Sequence, residues 1–478
     1  MREIQTDYLV VGAGASAMAF VDALLSGSPD VRVVMVDRRH RPGGHWLDAY
    51  PFVRLHQPSA NYGIASRRLG EDWVDTSGIN AGFYERATAP EICDYFTRVM
   101  ERDFVGSGRV QFFSMSEHRG EDADGHHVTS LLTGAETTIR ARKFVDATFV
   151  HSEIPSRHTP SYDVDPAVRV IPPNDLVHLA GTPAGFTVIG AGKTSMDTCC
   201  WLLDNGVDPD RIRWIRPRDP WLFDRVFMQP LELVGSYMQM QARWVEAAAV
   251  AQDAADFAHR LEDAGVFVRL DPSVEPQTWR GATISMGEIG VLRTIQRVVR
   301  EGRVRRVGPH SVQMDGGEIP STPQEVYVDC TAAGVRPTQP RPVFDRDRIV
   351  LQYVTIGIVP WSMATVGAVE ATREDSAEKN RLCPPLTFSA DASHMLQTAY
   401  TGMLGLIARG SEPDLGSWTE GCRLNPAAGA LSRLDDPDVA AAFGSMGEHI
   451  GEALRNLAER VATAPAQREA PTVAAPTT

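Results

Sequence analysis

Asp7-Tyr8-Leu9-Val10-Val11-Gly12-Ala13-Gly14-Ala15-Ser16-Ala17 decides how the rest of the chain is read. The almost unbroken apolar run up to Val11 has the pattern of a parallel strand covered on both faces. Gly12 permits the tight turn that follows, Gly14 lets a pyrophosphate approach the backbone, and small Ala17 allows the next helix to pack close to the strand. Ala15 and Ser16 open that helix, whose N-terminal N–H groups and dipole favour phosphate. A second strand, Val31-Arg32-Val33-Val34-Met35-Val36, ends in Asp37 and Arg38, and the carboxylate stands where a nucleotide fold accepts ribose hydroxyls. Strand, glycine turn, helix, strand and acid in this order predict dinucleotide binding.

Outward from this unit, Pro42-Gly43-Gly44-His45-Trp46 departs from a plain dinucleotide fold. Paired glycines just past the ribose-binding strand let backbone pass close to a bulky ligand, for which a flavin ring is suited. The first unit is therefore expected to bind FAD.

The same pattern returns at Phe186-Thr187-Val188-Ile189, Gly190-Ala191-Gly192-Lys193-Thr194-Ser195, a helix containing Met196 to Leu203, and the strand Arg211 to Ile215. Arg216 and Arg218 follow where the first unit has Asp37. An arginine fork suits a 2'-phosphate where a carboxylate would repel it, so NADPH is favoured over NADH, and Lys193 adds charge beside the turn.

These repeats set the organisation. The 478-residue chain is expected to be an α/β protein with two Rossmann-like dinucleotide-binding domains, the NADP domain inserted into the FAD domain. The expected division is 1–170 and 326–463 for the FAD domain, 171–325 for the NADP domain, and a disordered Ala-Pro-Thr tail over 464–478. Pro172-Pro173 and the proline-rich stretch 337–342 punctuate the junctions. Residues 231–263, rich in Ala, Met, Gln and Glu, read as a helical insert. A polar hairpin turn at Gly120–Gly125 is expected between Val110–Phe113 and His127–Leu132.

Composition excludes several classes. With 43% apolar residues and no long uninterrupted apolar run, no membrane span is expected. The net charge of -14 opposes binding to nucleic acid or an anionic membrane. The start of the chain lacks the features of a signal peptide, which points to the cytoplasm. Six cysteines without Cys-x-x-Cys spacing suggest neither a disulfide framework nor a metal site. A homo-oligomer is compatible with all of this.

With both turns in view, the chain resembles the flavin-containing monooxygenases and, more distantly, the Baeyer-Villiger monooxygenases, which are class B flavoprotein hydroxylases. Gly43-Gly44-His45-Trp46 resembles the element beside the flavin in that family, and Pro58-Ser59-Ala60-Asn61-Tyr62 the stretch carrying its flavin-edge asparagine. Gly190 to Asp197 resembles its second nucleotide turn, with Lys193 where asparagine is usual. Arg216 to Trp221 and Arg225 resemble its basic loop. Asp329-Cys330-Thr331-Ala332-Ala333-Gly334 resembles the element where the chain returns to the flavin domain, with Asp146-Ala147-Thr148-Phe149 as a first copy. The resemblance implies that NADPH reduces FAD, that O2 adds to form a C4a-hydroperoxide, and that one oxygen atom passes to a small organic substrate, N- or S-hydroxylation being preferred. Asn61 would donate to the oxygen centre, Arg225 would neutralise reduced flavin or hold NADP, and Thr331 and Gly334 would lie at the cofactor. His45, His56 and His151 are further candidates, as proton relays. The family's fingerprint between the two folds is absent from Phe149 to Gly190, so a flavoprotein oxidase or dehydrogenase without oxygen insertion stays open, as does a non-catalytic nucleotide-binding regulator.

Overall fold

The computed structural model describes residues 2–389 and 391–463; the tail expected over 464–478 lies outside them. Strand β1 (Arg2–Val11) runs into helix α1 (Ala15–Gly27), and β2 (Val33–Val36) and β3 (Val110–Phe113) line up parallel on one flank of β1. The long strand β4 (Glu136–Asp146) lies parallel on the other flank, and Val11 faces Val36 on one side and Asp146 on the other. Leu9 and Val10 are fully buried, as the apolar run requires. The hairpin is shifted from its expected first arm: Ser116–Asp122 pairs with Gly125–Ser130, while Val110–Phe113 belongs to the parallel sheet. Both segments alternate weakly, and only burial distinguishes them.

The second sheet begins with β5 (Arg169–Ile171) and β6 (Gly185–Ile189), followed by helix α2 (Lys193–Asp204) and β7 (Ile212–Ile215). An insertion follows, made of β8 (Pro220–Asp224), helices α3 (Val234–Val250) and α4 (Ala254–Asp263), β9 (Phe267–Val268), β10 (Thr278–Ile284) and α5 (Met286–Leu292). The expected helix over 231–263 is thus two helices; Asp253 starts the second by accepting from the Asp256 N–H at 2.9 Å. The sheet then adds β11 (Arg297–Val299) and β12 (Glu325–Asp329), giving the all-parallel order β11-β7-β6-β12-β5. Because β5 and β12 both pair within it, the boundaries expected at 170/171 and 325/326 fall inside or against strands of the second fold.

The chain returns to the first sheet as β13 (Arg348–Val350), parallel to β4, completing the order β13-β4-β1-β2-β3. Helix α6 (Val359–Thr372) lies on α1, where a Cβ on Gly367 would stand 2.5 Å from the Phe20 carbonyl oxygen; only glycine permits this approach. Trp361 stacks on Trp418 with ring centroids 5.3 Å apart, inside this core. Helices α7 (Met395–Gly410) and α8 (Pro437–Thr463) pack their Met395, Ala399, Ala453 and Leu457 against Trp244, Phe257, Phe267 and Trp279 of the insertion. Among the described residues, no helix is long and apolar enough to cross a membrane.

Candidate active site

Each sheet reverses its strand order beside a glycine turn, where open α/β sheets hold ligands. The two turns match bond for bond. The Gly12 N–H donates to the Val36 carbonyl at 2.8 Å, and the Gly190 N–H to Ile215 at 3.0 Å. The Ala147 N–H donates to Val11 at 3.0 Å and the Cys330 N–H to Ile189 at 2.8 Å. Asp146 Oδ1 accepts from the Thr148 N–H and hydroxyl at 2.8 and 2.7 Å, and Asp329 Oδ1 from those of Thr331 at 3.2 and 2.6 Å. Neither α1 nor α2 has a side-chain cap or an acidic residue in its first turn, so both present uncompensated positive ends.

At the first turn Gly12 has φ +109°, open to glycine. The Gly43 N–H donates to the Ala13 carbonyl at 3.0 Å, and a Cβ on Gly44 would stand 2.9 Å from Gly14 Cα. Two bare stretches of backbone therefore meet beside the uncapped helix, a cradle that fits a pyrophosphate and the flavin beyond it. Ala15, Ser16 and Ala17 are buried in the helix start. Asp37 is buried, its Oδ2 accepting from the Ala13 N–H at 2.6 Å and its Oδ1 from the Arg39 N–H at 2.7 Å. Arg38 instead points to solvent, 3.4 Å from Glu117. The Trp46 Nε1–H donates to the Tyr62 hydroxyl at 2.7 Å, and the His45 ring lies against Trp46 at 4.9 Å. Asn61, beside Tyr62 and 1% exposed, donates through Nδ2 to the Arg423 carbonyl at 3.3 Å; its Oδ1 has no hydrogen-bond partner among the described residues.

At the second turn Gly190 has φ +141°, and a Cβ there would meet the Cys330 carbonyl oxygen at 2.6 Å. Gly192 is the helix start, and the Ser195 hydroxyl donates to its carbonyl at 2.7 Å. Thr194 lies in the first turn of α2, where its carbonyl accepts from the Thr198 hydroxyl at 2.8 Å. Thr331 lies 3.2 Å from His158, and Gly334 turns with φ +64° into a short pairing with Glu153. Arg216 is buried and Arg218 exposed. No carboxylate follows β7 directly, but Asp219 Oδ2 lies 3.2 Å from Arg216 Nη2: the loop folds back and brings an acid to the arginine.

Lys193 was expected to lend its charge to the turn. Its ammonium is instead held by Asp197 and, at 3.2 Å, by Glu288 of α5. Glu288 also lies 2.5 Å from Arg225 Nη2 and 3.8 Å from Arg86 Nη1. Burial alone would raise this carboxyl, but Lys193, Arg225 and Arg86 together hold it well below the usual carboxylate range. Arg225 is completely buried and donates through Nε to the His56 carbonyl at 3.1 Å. The Tyr50 hydroxyl donates to Asp197 at 2.8 Å, and Phe52 stacks on Trp201 at 4.7 Å. The loop after the first turn, the second turn and the insertion thus meet in one buried ion cluster. Sequence reasoning missed Glu288 and Arg86. Ser285-Met286-Gly287-Glu288 is a capping box, a signal for a helix start and nothing more. The relay role suggested for His45 and His56 needs rings that titrate near neutrality; burial, then Arg39 beside His45 and Lys193 beside His56, lowers both to about 4.

No family model matches the chain. The uncharacterized proteins Rv2000 of Mycobacterium tuberculosis and Mb2023 of Mycobacterium bovis are each 43% identical to it over 435 residues, 91% of this chain and 80% of theirs. Among solved structures, a polycyclic ketone monooxygenase of the fungus Thermothelomyces thermophila is similar with TM-score 0.53 and 12% identity, over 97% of this chain and 89% of that one. A steroid monooxygenase bound to NADP is similar with TM-score 0.51 and 13% identity, over 86% and 98%. The fold, two nucleotide-binding units with the second inserted into the first, is that of these monooxygenases. By sequence, the chain belongs to the family of the mycobacterial proteins Rv2000 and Mb2023.

Proposed function

We propose that the chain is an FAD- and NADPH-dependent monooxygenase that transfers one oxygen atom from O2 to a small organic substrate, N- or S-hydroxylation being preferred. The observation that carries this reading is the pair of uncapped glycine turns, each at its own switch point, joined through Tyr50–Asp197 and Phe52–Trp201. The names of the fold's solved relatives, monooxygenases in both cases and bound to NADP in one, agree with it in class.

Gly12, Gly14, Ala15, Ser16, Ala17, Gly43 and Gly44 would hold FAD, with Asp37 at its ribose end. Gly190, Gly192, Thr194, Ser195 and Arg216 would hold the nicotinamide nucleotide, with Thr331 and Gly334 between the two. FAD, when bound, supplies the hydride acceptor and the centre at which oxygen is activated. The protein's own work is placement and exclusion of water. Trp46, tied to Tyr62, and the His45 ring wall off the region past the first turn. Asn61 offers an amide N–H that donates without competing as an acid. Arg225, fully buried with Nη2 on Glu288, keeps Nη1 without a hydrogen-bond partner among the described residues, a donor suited to negative charge on the cofactor side.

The test is to incubate purified protein with NADPH, O2 and a panel of amines, sulfides and ketones, and to weigh the products. A gain of one oxygen atom by an amine or sulfide, matched to NADPH consumed, supports the reading. The second reading, an oxidase or dehydrogenase, is favoured by residues 150–189, which form short bridges such as Glu153 to the Ala333 N–H at 3.0 Å in place of the family's fingerprint. Hydrogen peroxide equal to NADPH consumed, with every substrate unchanged in mass, would establish it.

A further inference from the structure

Arg216 occupies in the second fold the place of Asp37 in the first, directly after the strand residue whose carbonyl accepts from the first glycine of the turn. A cation there selects a 2'-phosphate only when its charge is unspent. Here it is spent. Arg216 Nη2 lies 3.2 Å from Asp219 Oδ2, and these side chains are 5% and 3% exposed. Arg300 Nη2 lies 3.4 Å from the same oxygen and 2.8 Å from Asp271 Oδ2. Two guanidiniums thus face two carboxylates, and the group is balanced. The Arg216 guanidinium is further fixed over the Trp214 ring, 4.7 Å from its centroid. Beside the group opens a cavity of about 290 Å³ lined by Arg216, Asp271, Arg293, Gln296 and Arg300.

A ribose diol is recognised by a carboxylate acceptor and a 2'-phosphate by cations. This end of the fold carries both. Asp219 Oδ1 is buried with no hydrogen-bond partner among the described residues, and so is Arg216 Nε. An acceptor and a donor are therefore left over after the internal pairs are made, and a buried unmade pairing is costly enough that a ligand completing it is favoured. We infer that the second fold takes NADH alongside NADPH, with Asp219 as the residue that sets the ratio between them. The inference rests on the reading that this fold binds a nicotinamide nucleotide. A bound 2'-phosphate must draw Arg216 and Arg300 from Asp219 while facing its negative charge, whereas an unphosphorylated ribose leaves the group intact.

The test is calorimetric titration of the full chain with 2',5'-ADP and with 5'-ADP, which isolates the 2'-phosphate from any redox step. The native protein is expected to bind the two within about tenfold of each other, a difference of one factor of ten in Kd. Asp219→Asn, nearly isosteric, is expected to shift the ratio by about tenfold or more toward 2',5'-ADP. Arg300→Met, which leaves the carboxylates in excess, is expected to shift it the opposite way, so the inference stays testable should the first variant not fold. A native preference for 2',5'-ADP beyond about a hundredfold overturns the inference, as does an unchanged ratio in both variants. Failure of both ligands to bind overturns the nucleotide reading with it. Binding in the expected ratios by a protein whose flavin NADPH does not reduce supports the inference and overturns the proposed reaction alone.

Discussion

Glu288 shows how one residue can hold three segments together. Its carboxylate faces Lys193, Arg225 and Arg86 with almost no solvent. Removing one partner of a buried cluster leaves uncompensated charge. Glu288→Gln is therefore expected to lower stability by about 3 kcal/mol in urea unfolding, and Lys193→Met, which removes a cation from the positive side, by less. An unchanged midpoint for Glu288→Gln would contradict the cluster. The depressed carboxyl of Glu288 contributes stability that is present above the unfolded carboxylate pKa and lost as pH falls through the lower folded one. His45 and His56 act earlier in the titration. Their folded values of about 4 lie below the ordinary imidazole value of 6.5, so the unfolded chain binds more protons between these limits. Stability should fall as pH drops from about 6.5 toward 4, by on the order of 1 to 2 kcal/mol per ring given their partial exposure. His56→Gln should flatten that limb of the curve, and an unaltered slope would contradict the buried neutral ring. None of this was legible beforehand, because charge partners far apart in the chain carry no local pattern. Arg216 was legible as a cation but not as one already paired with Asp219.

At the scale of elements, the two strand-turn-helix units were readable because their constraints are local: an apolar run, glycines where a Cβ would clash, and a helix start without a cap. The close approach of Gly44 to Gly14 gives a direct test. Gly44 has φ +57°, and its Cβ would stand 2.9 Å from Gly14 Cα. Gly44→Ala is expected to weaken flavin retention by about 2 kcal/mol, roughly thirtyfold, through strain of the cradle. Binding of 5'-ADP to the second fold should be untouched. Flavin content after gel filtration, with calorimetry of the nucleotide, reads both, and full flavin content would place the cofactor elsewhere. Gly190→Ala, whose Cβ would meet the Cys330 carbonyl oxygen, is expected to reverse the pattern and keep the yellow colour while losing nucleotide binding. The insertion was visible only in outline. Its helical composition was plain, but Trp244, Phe223 and Trp279, which pack on one another, share their core with α7 and α8, more than a hundred residues downstream. Trp244→Ala is expected to cost about 3 to 5 kcal/mol by opening that core.

Across the whole molecule, the second fold sits between the two halves of the first; α7 and α8 meet its insertion in a shared apolar core, and a set of polar and stacking contacts forms a seam beside the turns. Tyr50 reaches Asp197, Phe52 stacks on Trp201, and the His56 carbonyl accepts from Arg225 and, at 2.6 Å, from the Thr283 hydroxyl. All the first-fold residues in this seam belong to the loop that follows the paired glycines. The seam holds the two turns in a fixed arrangement, as transfer between two bound cofactors requires. Insertion of the second fold followed from the repeat of the turn, whereas the seam had no signature in sequence, since the partners of Tyr50 and Phe52 lie more than a hundred residues downstream. The most direct test of the account is to mix the purified yellow protein with NADPH under argon and follow the visible flavin absorbance. The account expects the colour to bleach stoichiometrically and to return on admitting air. A protein that carries and takes up no flavin, or whose flavin spectrum is unmoved by NADPH and NADH alike, would contradict it.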